Sequence, residues 1–383
     1  MINIPVEPKI TEYLHRKAAK LNIPLNGTFE LTPLCNMDCK MCYVKMGKKE
    51  QQKIHPLRSV EEWLWLGKIA REKGMMYLLL TGGEPFLRAD FKEIFQGLHR
   101  MGFIISINSN GTLIDEETVK WLKETPPMRI NITLYGASDE TYDVLCGNPR
   151  GFTQVTNAIR LLKEAGIAVK LNCSVTPHNV KDLEKIFDFA KKEKLIIQAT
   201  SYMFPPVRRN KNLIGKNERF TPEEASYYAA KIEVLTNGQK RFIQKVQKQN
   251  YNEIWDGNTK NCMENEGEAM KCRAGKCSFW ITWDGRMVPC GMLISENAPD
   301  VFLNGFEKSW KQICEEVRTI RLPGKCKKCV FKDKCRTCAA MVLTETGTYD
   351  QAPEYRCEMM ENYSKTCRKI EAEILKDCEG ELQ

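Results

Sequence analysis

No stretch of this 383-residue chain approaches the roughly 18 consecutive apolar residues that a membrane-spanning helix needs. Its first twenty residues, MINIPVEPKITEYLHRKAAK, carry scattered charges and no apolar block, so they read as neither a secretory signal nor an anchor. A net charge of +9 comes without a nucleic-acid recognition motif or interleaved aromatic and basic residues, which argues against a nucleic acid partner. With no export signal, the 17 cysteines point away from a disulfide framework. They point instead to thiolate metal ligation in a reducing compartment, the cytoplasm.

What is present is an apolar share of 42%, enough for a sizeable core, in a chain long enough for a barrel of about 250 residues plus an extension. The cysteines are unevenly spread: three stand at Cys35, Cys39 and Cys42, only Cys146 and Cys173 fall between residues 43 and 261, and twelve crowd the remainder. That shift divides the chain into a helical lead-in over 1–24, an α/β part over 25–240 and a loop-rich, cysteine-dense part over 241–383. Within the α/β part, the pattern predicts strands near Gly27–Thr32, Tyr77–Thr81, Phe103–Asn108, Arg129–Leu134, Ala168–Val175 and Leu195–Tyr202. Helices fit at Val60–Lys73, Asp90–Met101, Asp115–Glu124, Phe152–Ala165 and Val180–Lys192, with another after Pro222. Such alternation argues for βα units on a parallel sheet, and composition alone does not separate an open barrel from a doubly wound sheet.

Cys35, Cys39 and Cys42 form a CxxxCxxC array directly behind the first strand. Thiolates at those offsets fold back around one metal cluster, and three ligands leave one iron of a four-iron cluster without a protein partner. Zinc ligands or ordinary thiols are the alternatives, but zinc sites usually pair CxxC with a distant second pair. The array, with Tyr43 behind its last cysteine, resembles the signature of the radical S-adenosylmethionine (SAM) superfamily. The resemblance implies that the open iron chelates the amino and carboxylate groups of SAM and that a 5′-deoxyadenosyl radical abstracts a substrate hydrogen. It also implies the fold, a partial (β/α)6 TIM-like barrel, for which six βα units suffice.

The other motifs also follow strands, where parallel α/β folds gather their chemistry. Thr81-Gly82-Gly83-Glu84-Pro85 ends the second strand, Asn110-Gly111-Thr112 follows the third, and Tyr135-Gly136 the fourth. Two glycines permit close backbone approach to a ligand or, in the plainer reading, only a tight turn before a helix. By resemblance the Gly82-Gly83-Glu84 loop contacts the SAM amino group, with Glu84 the matching acid. Asn110, Thr133 and Asn172 stand where related enzymes use polar groups on ribose or carboxylate; each is also a reasonable strand-end cap. Relatives often carry an arginine where Cys146 precedes Gly147 here, which leaves the partner of the SAM carboxylate open; Arg150, four residues on, is one candidate.

The carboxy-terminal cysteines run Cys272-x4-Cys277-x7-Gly285-x4-Cys290, then Cys326-x2-Cys329-x5-Cys335-x2-Cys338, then Cys357. Eight cysteines make two sets of four, the number two four-iron clusters require. The pattern resembles the SPASM extension of radical SAM enzymes that modify peptides and proteins. Carried over by motif, Cys272, Cys277, Cys290 and Cys338 hold the cluster nearer the substrate, and Cys326, Cys329, Cys335 and Cys357 the outer one. A zinc ribbon over Cys326–Cys338 is the alternative, with an x5 connection short for that motif. Cys146, Cys173, Cys262, Cys314, Cys367 and Cys378 remain, and read as small buried hydrophobes.

Ser278–Arg286 alternates around Asp284-Gly285 and predicts a β-hairpin whose Trp280 and Trp283 shield a cluster from water. Basic residues gather at Arg208-Arg209-Asn210-Lys211 and around the outer cysteines. They read as a solvated face, or as a dock for an acidic electron donor of flavodoxin or ferredoxin type. Taken with the resemblance, the expected substrate is a ribosomally made peptide that acquires a thioether or carbon–carbon crosslink. The lead-in is too short for a winged-helix leader-binding domain, so a leader would bind the core or a separate protein. Sulfatase-type formylglycine maturation is set against this reading by Gly291, where those enzymes have aspartate after the cysteine. Maturation of a small-molecule cofactor is a further alternative, and a non-enzymatic electron-transfer protein the remotest.

Overall fold

The computed structural model describes residues 8–248, 267–293, 295–332 and 334–380. Cys262 lies outside the described residues, as does the side chain of Cys378. Six parallel strands alternate with helices: β1 (Asn26–Glu30), β2 (Tyr77–Thr81), β3 (Ile104–Ser109), β4 (Arg129–Thr133), β5 (Val169–Ser174) and β6 (Ile196–Thr200). They lie side by side in chain order and do not close: β6 is one edge, and beyond β1 the sheet continues into β7 (Ser278–Ile281) and β8 (Met287–Val288). The fold is therefore the open α/β barrel that the motifs imply.

The strands hold because register partners build one continuous apolar face, while the other face carries Asn108, Thr133 and Asn172. Phe29, Leu80, Ile107, Ile130, Ile132 and Leu171 are fully buried. The helix Val60–Glu72 starts at a capping box in which Ser59 and Glu62 each accept a backbone N–H of the other, and it buries Trp63, Leu66 and Ala70. The helix Pro222–Asn237 starts the same way at Thr221 and Glu224, with proline at its first position. Between β1 and β6 two helices went unread in the sequence, Lys48–Ile54 and Asp139–Cys146; the second is capped by Ser138 and ends on left-handed Gly147.

The Asp284-Gly285 hairpin is present, with Gly285 at φ +96°. Its first strand also docks in parallel on β1, from Asn26 opposite Ser278 to Phe29 opposite Ile281. The carboxy-terminal helix Glu354–Gly380 lies against Pro222–Asn237, where the Ser226 hydroxyl donates to the Met359 carbonyl at 2.7 Å. A buried ion pair, Arg219 with Glu345, joins the segment after β6 to the helix Ala339–Thr346, and the Tyr202 hydroxyl donates to the same carboxylate at 2.6 Å. Cys146, Cys173, Cys314 and Cys367 are buried, as small hydrophobes would be. No helix among the described residues is long and apolar enough to cross a membrane.

Candidate functional site

The carboxyl ends of the barrel strands surround a cavity of ≈ 370 Å³. Cys35, Cys39 and Cys42 line it together with Gly82, Gly83, Asn110, Thr133 and Asn172. Thr133 and Asn172 are register partners on β4 and β5, so one rung of the sheet offers both polar side chains.

The cysteine loop owes its shape to its neighbours. A Cβ on Gly82 would stand 2.6 Å from the Thr32 carbonyl oxygen, and one on Gly83 only 2.3 Å from that of Leu34. The glycines therefore let the loop after β2 press against the backbone leading into Cys35, where Gly83 N–H donates to Thr32 at 2.7 Å and Glu84 N–H to Leu34 at 2.9 Å. From the other side the end of the helix Asp139–Cys146 pins the array: Asp38 N–H donates to the Cys146 carbonyl at 2.7 Å and Lys40 N–H to that of Leu145 at 3.1 Å.

Backbone N–H groups point at two of the sulfurs, Met37 at Cys35 (3.4 Å) and Lys45 at Cys42 (3.3 Å). Burial nevertheless pushes the Cys35 thiol up to about 12 and raises Cys42; a hydrogen bond with the Cys146 thiol, then burial, raises Cys39. Thiolates in this setting need a cation. A four-iron cluster fits these residues, because three thiols border one cavity.

Glu84 turns away from the cavity. Fully buried, it accepts from Phe86 N–H, the Ser109 hydroxyl and Asn110 N–H at 2.7–3.1 Å, and so ties the loop after β2 to the end of β3. Asn110 in turn reaches Cys35 Sγ at 3.7 Å and Asn36 Oδ1 at 2.9 Å through Nδ2, while its Oδ1 caps Thr112. Arg150 does not join the site. It is exposed at the start of the helix Gly151–Glu164, outside the cavity, and the residue that does face the array is Cys146.

Across from the thiols the cavity wall is apolar and polarisable: Tyr135, Tyr202, Met203, Phe204, Met292 and Met341. Of these only Tyr135 was singled out from the sequence, although Met292 and Met341 stand two and three residues after Cys290 and Cys338. No Lys, Arg, Asp or Glu among the described residues lines this cavity. Tyr43 and Val44 separate it from a larger cleft of ≈ 1140 Å³ that carries Lys40, Lys45, Arg209 and Arg286 beside Asp38 and Glu50. At the junction, buried Arg208 grips buried Glu30 with both nitrogens (2.9 and 2.8 Å), and the Trp280 indole donates to the same carboxylate at 3.0 Å.

The carboxy-terminal cysteines separate by position. Cys326, Cys329, Cys335 and Cys357 line one cavity of ≈ 330 Å³, and Cys272 and Cys338 line it as well. Cys290 and Cys338 pack into one apolar group with Met270, Leu293 and Ala340. Cys277 is fully buried elsewhere, against Ala18 and Leu25.

Residues 29–190 match the family model of the Radical SAM superfamily. Over 355 residues the chain is 25% identical to an AdoMet-dependent heme synthase of Methanosarcina barkeri, covering 88% of this chain and 97% of that protein. Over 166 residues it is 28% identical to the sporulation killing factor maturation protein SkfB of Bacillus subtilis, covering 43% and 39%. In structure it resembles Streptococcus suis SuiB bound to its precursor peptide SuiA, with a TM-score of 0.66 at 16% identity over 93% of this chain and 82% of that one.

Proposed function

From the match of residues 29–190 to the Radical SAM superfamily model, we propose that the chain is a radical SAM enzyme that oxidises a ribosomally made peptide, closing a thioether or carbon–carbon crosslink. Cys35, Cys39 and Cys42 hold a four-iron cluster; Cys326, Cys329, Cys335 and Cys357 hold an outer auxiliary cluster, and Cys272, Cys290 and Cys338 contribute to an inner one. When bound, these groups and SAM supply a 5′-deoxyadenosyl radical that removes a hydrogen atom, and an acceptor for the substrate's second electron. The chain's own part is positional. Gly82, Gly83, Asn110, Thr133 and Asn172 offer hydrogen bonds to SAM, while the Met and aromatic wall keeps water from a reactive carbon. A flavodoxin- or ferredoxin-type donor supplies the first electron.

The observation that carries the peptide reading is the wall itself. Met292 and Met341, close in sequence to Cys290 and Cys338, line the same cavity as Cys35, and no charged side chain does. Such a wall suits an uncharged peptide side chain or Cα–H beside an auxiliary cluster. The heme synthase likeness, which spans nearly the whole of both chains, favours a second reading, a tetrapyrrole. Its carboxylates would find cations only in the adjoining cleft, at Lys40, Lys45 and Arg209.

Mass spectrometry separates the two. With reductant and SAM, a cysteine-bearing peptide encoded beside the enzyme's gene should lose two hydrogens per 5′-deoxyadenosine released, and iron coproporphyrin should be unchanged. Loss of carbon dioxide and two hydrogens from the porphyrin, with no change in the peptide, would establish the tetrapyrrole reading instead.

A further inference from the structure

Resting on the reading that Cys272, Cys290 and Cys338 belong to an auxiliary cluster, we propose that Cys277 is a structural thiol and not the fourth ligand of that cluster. Side chains alternate along β7, so Phe279 and Ile281 share one face and Ser278 and Trp280 the other, while Cys277 ends the turn directly before the strand and packs beside Leu25. The first face is core, and Cys277 is buried too: Cys277, Phe279 and Ile281 are 0%, 2% and 0% exposed. Phe279 meets Phe306 and Trp310 edge to face at 5.3 and 5.9 Å. Cys277 itself sits between Ala18 of the amino-terminal helix and Leu25, and its carbonyl accepts Asn26 N–H at 3.0 Å, at the foot of β1 and away from the strand ends that hold the array of Cys35, Cys39 and Cys42.

The second face belongs to the auxiliary cysteines. Trp280 packs so closely on Gly291 that a Cβ there would come within 3.1 Å of the indole, and Gly291 directly follows Cys290. Cys290 shares its apolar group with Cys338, and Cys338 shares a cavity wall with Cys272. Bringing Cys277 to these three would pull it from its packing against Ala18 and Leu25, or slip β7 against β1 and carry Phe279 and Ile281 out of the core. The pairing of Asn26 with Ser278 through Phe29 with Ile281 fixes the register against that slip. The inner cluster's fourth coordination position therefore takes a ligand other than Cys277.

Iron analysis and the EPR spectrum of the reduced, reconstituted full chain test this. The wild-type chain should load about twelve irons. Cys277→Ala, and Cys277→Val as a volume-filling second variant, should keep that loading and the wild-type spectrum, whereas Cys272→Ala should lose about a third of the iron and one cluster's signal. Loss of a third of the iron from both Cys277 variants, with wild-type circular dichroism, would overturn the proposal while leaving two auxiliary clusters in place. A wild-type chain that loads only about four irons would remove the auxiliary clusters, and the proposal with them.

Discussion

Glu84 shows how a motif residue can serve a site without facing it. Burial raises its carboxyl from 4.5 to about 7, against the lowering effect of three hydrogen-bond donors. The folded state therefore favours the protonated form. Its contribution to stability is fully present below about pH 4.5 and is lost as pH rises through about 7, and the displacement corresponds to roughly 3 kcal/mol. Anaerobic urea unfolding should show wild type losing stability relative to Glu84→Gln between about pH 5 and pH 8; parallel pH profiles would contradict the assignment. Gly83 gives a sharper test, because the atom its Cβ would meet is backbone, 2.3 Å away. Gly83→Ala should displace the loop that carries Cys35, and iron analysis should then show loss of about a third of the load with the auxiliary clusters retained. The array of Cys35, Cys39 and Cys42 was legible because its spacing is local, and the structure brings the three to one cavity. The cation for the SAM carboxylate was not: Arg150 is close to the motif in sequence but opens a helix on the exposed side, while Cys146 ends the helix before it and faces Cys39.

β1 is the element on which both halves of the chain meet. Its amino-terminal end carries Asn26 paired to Ser278, and its carboxyl end carries Glu30, gripped by Arg208 and Trp280. Breaking that buried pair leaves an uncompensated charge, so Glu30→Ala should cost about 3–5 kcal/mol, and joint replacement with Glu30→Gln and Arg208→Met much less. Denaturant unfolding of the two variants checks it; equal losses from the single and joint replacements would mean that the pair acts only through its volume. The six barrel strands and their helices were legible because apolar runs and caps are written within each element, as at Ser59 with Glu62 and Thr221 with Glu224. The docking of β7 on β1 was not, since pairing between residues some 250 apart leaves no local period, and the Asp284-Gly285 turn announces only the hairpin. The helix Asp139–Cys146 escaped for a different reason: its single short stretch carries a cap but too few turns for a periodic stripe.

In the whole molecule the carboxy-terminal segment completes the barrel's mouth. The Arg219–Glu345 pair, with Tyr202 on the same carboxylate, holds the helix Ala339–Thr346 so that Met341 borders the cavity shared with Cys35. One chamber thus faces the three-cysteine array on one side and the auxiliary cysteines' neighbours on the other, which is the arrangement an oxidation begun by one centre and finished by another requires. Everything in this account depends on radical generation at Cys35, Cys39 and Cys42. The direct measurement is release of 5′-deoxyadenosine and methionine from SAM under dithionite, comparing the wild-type chain with the variant in which all three cysteines are alanine. Wild type should release both products, and the variant should release neither. Release by the variant at the wild-type rate would place the chemistry elsewhere and contradict the account.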